Sequence, residues 1–139
     1  MHNISIQQDI KCFLLDMDGT FYLGDKLLLG AHEFIDWARK NNKQFIFLTN
    51  NSSKSKKAYI EKMKRLGFDL PEENFFTSGE ATIIYLKKHY PNQPVWLCGT
   101  PALEEEFESH GISLCRRADV STCRRPQTSN LVAVLGFDK

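Results

Sequence analysis

Cys12-Phe13-Leu14-Leu15-Asp16-Met17-Asp18-Gly19-Thr20 is the stretch that decides the fold. Ile10 to Leu15 is a short, largely apolar run that ends at a turn signal, the pattern of a buried strand. Side chains alternate along a strand, so Asp16 and Asp18 project to the same side at its exit. Two carboxylates there make an acidic site rather than a core. Gly19 lets the backbone turn sharply and brings amide groups close to an anion, while the Thr20 hydroxyl can stabilise the turn. Such a cluster binds a cation and handles an anion. By chance, four fixed positions of this kind occur on the order of once in several hundred chains of this length. A calcium loop also begins Asp-x-Asp, but it requires glycine at its sixth position and glutamate at its twelfth. Counted from Asp16 those places hold Phe21 and Leu27, so the calcium pattern fails.

The chain beyond this stretch alternates strand and helix. Ala31, Phe34, Ile35 and Ala38 form the stripe of an amphipathic helix that Asn41-Asn42 ends. Phe45 to Leu48 reads as a second buried strand with Thr49-Asn50-Asn51-Ser52-Ser53 as its polar exit. Ser52 or Ser53 is the expected cap of a helix carrying Tyr59, Met63 and Leu66 on one face and stopped by Gly67. A third strand, Asn74 to Thr77, precedes a helix near 79–89 capped by Ser78, with Ala81, Ile84, Tyr85 and Lys88 on one side. After Pro91 and Pro94 come a strand, Val95 to Cys98, and a helix capped by Thr100 with Pro101 first and Gly111 as its stop. There Leu103 and Phe107 face the core. Residues 116–130 read as irregular, and Leu131 to Leu135 is a last strand. Alternating strands and helices imply βαβ units and a parallel sheet, whose ligands sit at the carboxyl ends of the strands. Both polar clusters lie at such exits.

Composition excludes several classes. The 139 residues carry a net charge of +1, are 42% hydrophobic and 25% charged. Near-neutral charge gives no general pull toward nucleic acid or an acidic membrane. No apolar run approaches the roughly 20 residues of a membrane span, and no leader is visible at the start. Cys12, Cys98, Cys115 and Cys123 are scattered without CxxC or zinc-finger spacing, which fits a reduced, cytoplasmic setting. The basic stretch Lys54, Lys56, Lys57, Lys62, Lys64 and Arg65 reads as a solvated helix face. His2, His32, His89 and His110 read as surface or helix-end residues. Cys115-Arg116-Arg117 and Cys123-Arg124-Arg125 repeat over too short a period for a solenoid.

A carboxylate beside a second carboxylate and a divalent cation can attack phosphorus, and water then cleaves the aspartyl-phosphate. Asp16 is the natural nucleophile and Asp18 the acid and base, with Thr49 and Asn50 to hold phosphoryl oxygens. Asp16-x-Asp18-Gly19-Thr20 resembles the first motif of the haloacid dehalogenase superfamily, and Thr49-Asn50-Asn51-Ser52 its second. Phe21-Tyr22-Leu23-Gly24, Leu29-Gly30-Ala31, Phe47-Leu48 before the second motif, Thr77-Ser78-Gly79 and Cys98-Gly99-Thr100-Pro101 narrow the resemblance to the NagD-like, 4-nitrophenylphosphatase branch. A receiver domain shares the aspartyl-phosphate chemistry, but its acceptor would follow the third strand, where this chain has Ser78-Gly79.

The resemblance implies an α/β, Rossmann-like parallel-sheet core over about 1–90 and the opening of an α/β cap over 91–139. It also implies Asp16 as nucleophile, Asp18 as acid/base, and Mg2+ held by the Asp16 carboxylate and the Asp18 backbone carbonyl. Gly19, Thr49 and Asn50 then bind the phosphate of a small phosphorylated substrate. The family pattern continues with a lysine and a late aspartate motif, and no Gly-Asp-x-x-x-Asp occurs here. A truncated phosphatase of low activity is therefore expected. The alternative is a non-catalytic remnant that binds phosphate or Mg2+ weakly, or self-associates through an exposed sheet edge.

Overall fold

The computed structural model describes residues 9–115 and 132–135. Strands β1 (Cys12–Asp16), β4 (Gln44–Thr49) and β5 (Phe75–Thr77) form one sheet in the order β1-β4-β5. Between β1 and β4 lie the hairpin β2 (Tyr22–Leu23) and β3 (Lys26–Leu27) and helix α1 (Ala31–Lys40). Helix α2 (Lys56–Arg65) and a 3₁₀ turn (Glu72–Asn74) connect β4 to β5. Then follow α3 (Ser78–His89), β6 (Val95–Cys98), α4 (Pro101–Ser109) and β7 (Val132–Leu135). The β6 and β7 strands pair in parallel as a separate sheet. The described residues fall into two compact units, 9–49 with 62–76 and 50–61 with 77–115 and 132–135.

In the first unit β1 and β4 pair in parallel from Cys12↔Gln44 to Asp16↔Leu48. Parallel pairing requires a crossover, which α1 supplies. Its Ala31, Ile35 and Ala38 are buried, and Asn41 and Asn42 end it, the latter at φ 52°. The core is aromatic. Phe47 is fully buried and meets Phe21 at 4.8 Å, Phe75 at 5.6 Å and Phe45 at 5.9 Å between ring centroids. The Asn74 side chain donates to the Phe45 carbonyl at 2.6 Å, which fixes the turn that feeds β5.

The expectation of a buried first strand is corrected. No residue of β1 is buried and Leu14 is 65% exposed. Among the described residues β1 pairs with β4 alone, so its other edge carries no neighbour; Phe13 and Leu15 are half-buried, and Phe13 lies edge-on to Phe34 and Trp37 of α1. The basic stretch on α2 is also not uniformly solvated. Lys62 is 8% exposed, with its ammonium 3.7 Å from the centre of the Tyr22 ring. The quadrupole of the ring attracts the cation and repays part of its burial.

In the second unit Ile83, Leu86, Val95, Leu97, Leu103 and Phe107 form the core, and Ile112 and Leu114 pack on it. On α3 the buried residues are Gly79, Ile83 and Leu86, whereas Ile84 and Tyr85 of the stripe expected from sequence are exposed. The cap of that helix is Thr77, whose hydroxyl accepts from the Glu80 amide, one residue before the expected Ser78. Helix α2 likewise starts after Ser55, which accepts from the Ala58 amide, and not after Ser52 or Ser53. Helix α4 has the expected Thr100 cap and Pro101 start. His89 and His110 sit at helix ends, His32 is exposed and stacks on Phe68, and His2 and Cys123 lie outside the described residues.

Glu106 is an acid within this core, 8% exposed. Oε1 accepts from the Lys56 amide at 3.4 Å, and Oε2 has no hydrogen-bond partner among the described residues. Burial pushes its pKa up from 4.5, and Glu80 adds to the rise; the Lys56 amide, His110 and the Lys56 charge oppose it. The folded unit therefore binds this proton more tightly than the unfolded chain does. The contribution to stability is complete below about pH 4.5 and is lost as pH rises through the elevated value. Glu106→Gln keeps an acceptor for Lys56 and removes the buried charge. The variant is expected to melt above the parent at about pH 7, with the gap closing toward about pH 4. Thermal unfolding followed by circular dichroism at both pH values checks this, and a variant that melts lower at neutral pH contradicts it.

Candidate active site

The acidic motif leaves β1 as an alternation continued past the strand. Asp16 and Asp18 are exposed, while Met17 between them is 1% exposed and anchors the segment in the first unit. The chain then closes on itself. The Gly19 amide donates to the Tyr22 carbonyl at 2.8 Å, and the Phe21 and Tyr22 amides both donate to the Met17 carbonyl, at 3.0 and 3.3 Å. Gly19 has φ +84°, in the left-handed region that side chains with a Cβ disfavour. Tyr22, fully buried beneath Lys62, holds the far end of the turn. The Thr20 hydroxyl donates to Asp16 Oδ2 at 3.4 Å. Lys62 carries no signal in the sequence that separates it from the lysines around it.

The β1–β4 register sets the second cluster. Asp16 lies opposite Leu48, so Thr49 is one step further along the neighbouring strand at the same end of the sheet as Met17 and Asp18. Thr49 is 8% exposed. The first unit thus brings Asp16, Asp18, Gly19 and Thr49 to one end of its sheet. Asn50, next in the chain, opens the second unit and is exposed.

The donor set is hard. Two carboxylates with nearby backbone carbonyls suit Mg2+, which is commonly held by one or two carboxylates, several waters and substrate phosphate. No group of three or more His, Cys, Asp or Glu side chains able to hold a metal occurs among the described residues. A cavity of about 390 Å³ beside Trp96, Cys98 and Glu104 belongs to the second unit and includes none of the five residues named from the sequence. Among the described residues no helix is long and apolar enough to cross a membrane.

A family model described as haloacid dehalogenase-like hydrolase matches residues 13–113. The chain is 36% identical over 105 residues to chloroplastic phosphoglycolate phosphatase 1A of Arabidopsis thaliana, a match that covers 74% of this chain and 29% of that protein. The crystal structure of 4-nitrophenylphosphatase from Thermotoga maritima superposes with a TM-score of 0.82 at 38% identity, over 96% of this chain and 47% of that one. Glycerol phosphate phosphatase from Mycobacterium tuberculosis, solved with magnesium, gives a TM-score of 0.75 at 29% identity, over 96% of this chain and 38% of that one. The chain thus spans less than half the length of each of these relatives. An α/β chain with a parallel β1–β4 pair, matched over most of its length in both sequence and structure, belongs to the haloacid dehalogenase-like hydrolase family and is NagD-like within it.

Proposed function

We propose that this chain carries the nucleophile and acid/base of a Mg2+-dependent phosphatase acting on small phosphate monoesters. The observation that carries the reading is the exposure of Asp16 and Asp18 on either side of buried Met17, at the sheet end that Thr49 also reaches. A carboxylate oxygen of Asp16 attacks phosphorus as the bond to the ester oxygen breaks. Asp18, protonated, gives its proton to that leaving oxygen. Asp18 as carboxylate then takes a proton from water, whose oxygen attacks the aspartyl-phosphate and frees inorganic phosphate and Asp16. The Gly19 segment, the Thr49 hydroxyl and Asn50 hold the phosphoryl oxygens. Mg2+, held by the Asp16 carboxylate and the Asp18 backbone carbonyl, would supply neutralisation of the phosphoryl charge.

In this reading residues 1–90 belong to the core and 91–139 open the cap; the separate β1-β4-β5 and β6-β7 sheets support two bodies, while the compact units divide after 49 and 76. The reading places the protein in a reducing cytoplasm, in keeping with the exposed free thiols of Cys12 and Cys98. Phosphoglycolate, glycerol phosphate and 4-nitrophenyl phosphate are the substrates to test, since relatives are named for them. Phosphate release is expected to fall to background in excess chelator and to return when Mg2+ is restored. Release that is indifferent to the chelator would refute the metal dependence.

A further inference from the structure

Two stretches that mark the NagD-like resemblance, Thr77-Ser78-Gly79 and Cys98-Gly99-Thr100-Pro101, lie outside the acidic site, in the second unit. Three hydroxyls from three helices converge on the loop that follows β4. Ser78 Oγ, at the start of α3, donates to the Asn50 carbonyl at 3.2 Å. Tyr59 Oη, on α2, donates to the Asn51 carbonyl at 3.2 Å. Thr100 Oγ1, at the cap of α4, donates to the Ser53 carbonyl at 3.0 Å. Inside the loop the Ser53 amide donates to Asn51 Oδ1 at 2.9 Å, and Glu106 receives the Lys56 amide where α2 begins.

Gly79, at the start of α3, lies close against α4, and Gly99 lies close against the first turn of α4 that follows it. A Cβ on Gly79 would lie 3.1 Å from Leu103 Cδ1 and 3.4 Å from Glu106 Oε2, and one on Gly99 would lie 2.8 Å from Leu103 Cδ2. At Gly79 a side chain would crowd Leu103 and Glu106 of α4, and at Gly99 it would crowd Leu103 of the helix that Gly99 itself leads into. Thr77 and Thr100 cap their helices, and Pro101 occupies the first-turn position where its missing N–H costs nothing.

We propose that Ser78, Tyr59 and Thr100 are positioning residues that hold the 50–55 loop in its phosphate-binding form, an inference that rests on the phosphatase reading. The mechanism follows from the planar trans peptide, in which the N–H points opposite to the C=O of the same unit. The described peptides are all trans. Fastening the carbonyls of Asn50, Asn51 and Ser53 to the helices therefore turns the amides of Asn51, Ser52 and Lys54 away from them. The Asn51 and Ser52 amides are successive, and adjacent amides directed to one side make an anion-binding concavity. Asn50, the residue that follows Thr49, is fastened at its own carbonyl, so its side chain starts from a set backbone. None of the three hydroxyls needs to touch phosphate.

The test is titration of the 15N-labelled chain with inorganic phosphate and Mg2+, following the Ser52 and Lys54 amide signals. Ser78→Ala and Tyr59→Phe are each expected to weaken phosphate binding about three- to tenfold, the cost of one hydrogen bond. Ser78→Thr is expected to restore it to within about twofold, which a purely structural role would not require. Thermal midpoints of the same samples establish that each variant is folded. Binding by the parent that Ser78→Ala and Tyr59→Phe leave within about twofold overturns the positioning role and leaves the phosphatase reading standing. A parent that binds no phosphate overturns both.

Discussion

Asp16→Asn is expected to abolish Mg2+-dependent hydrolysis of small phosphate monoesters, a loss on the order of 10³-fold or more that takes the rate to background. The amide has no negative charge with which to attack phosphorus and cannot form the acyl phosphate that water cleaves. Asp18→Asn is expected to lose about 10²–10⁴-fold, because the leaving oxygen then departs without a proton. Both carboxylates are exposed, and Asp16 receives a single long hydrogen bond, 3.4 Å from the Thr20 hydroxyl. Exposed substitutions of this kind change stability by about 0.5 kcal/mol or less. The two variants should therefore melt with the parent, which separates lost chemistry from lost fold. An Asp16→Asn protein that retains the parental rate would remove the nucleophile from the account.

The largest expected effect on stability belongs to Phe47. Its side chain is fully buried at the centre of β4, and rings from the turn after β1, from β5 and from β4 itself meet it within 6 Å. Phe47→Ala removes a large apolar surface and leaves a cavity whose walls belong to a sheet and cannot collapse freely. The cost is about 3–5 kcal/mol, a large fraction of the roughly 5–15 kcal/mol that a domain has in total. Thr49 stands two residues further along the strand, so the variant should lose phosphate binding in proportion to the unfolded fraction. Urea unfolding followed by circular dichroism measures the shift. A change below about 1 kcal/mol would mean that the first unit does not depend on this aromatic cluster.

Much of this was legible because local signals and tertiary packing agreed. Val95–Cys98, the Thr100 cap, the Pro101 start and the Asn41-Asn42 stop all rest on side-chain and backbone properties that act within one turn. The alternation Asp16, Met17, Asp18 was legible for the same reason, since a period of two continues past the hydrogen-bonded strand. The β2–β3 hairpin was missed although Gly24-Asp25 is a two-residue turn signal, because each strand has only two residues and shows no periodicity. The caps at Ser55 and Thr77 were displaced because runs of Ser, Thr and Asn offer several equivalent oxygens, and tertiary contacts choose among them. Ser78 illustrates this: its hydroxyl goes to the Asn50 carbonyl, 28 residues away, and the capping passes to Thr77. The exposure of β1 was illegible from an apolar run alone, since burial of a strand depends on which neighbours lie along both its edges.

A search for the phosphoryl group itself tests Asp16 as nucleophile. The chain is mixed with a small phosphate monoester and Mg2+, quenched in acid during turnover, digested and examined by mass spectrometry for a phosphorylated carboxylate. One phosphoryl group is expected on the peptide containing Asp16, present in Asp18→Asn and absent in Asp16→Asn. Turnover with Asp16 never phosphorylated, or a phosphoryl group carried on another residue, would contradict it.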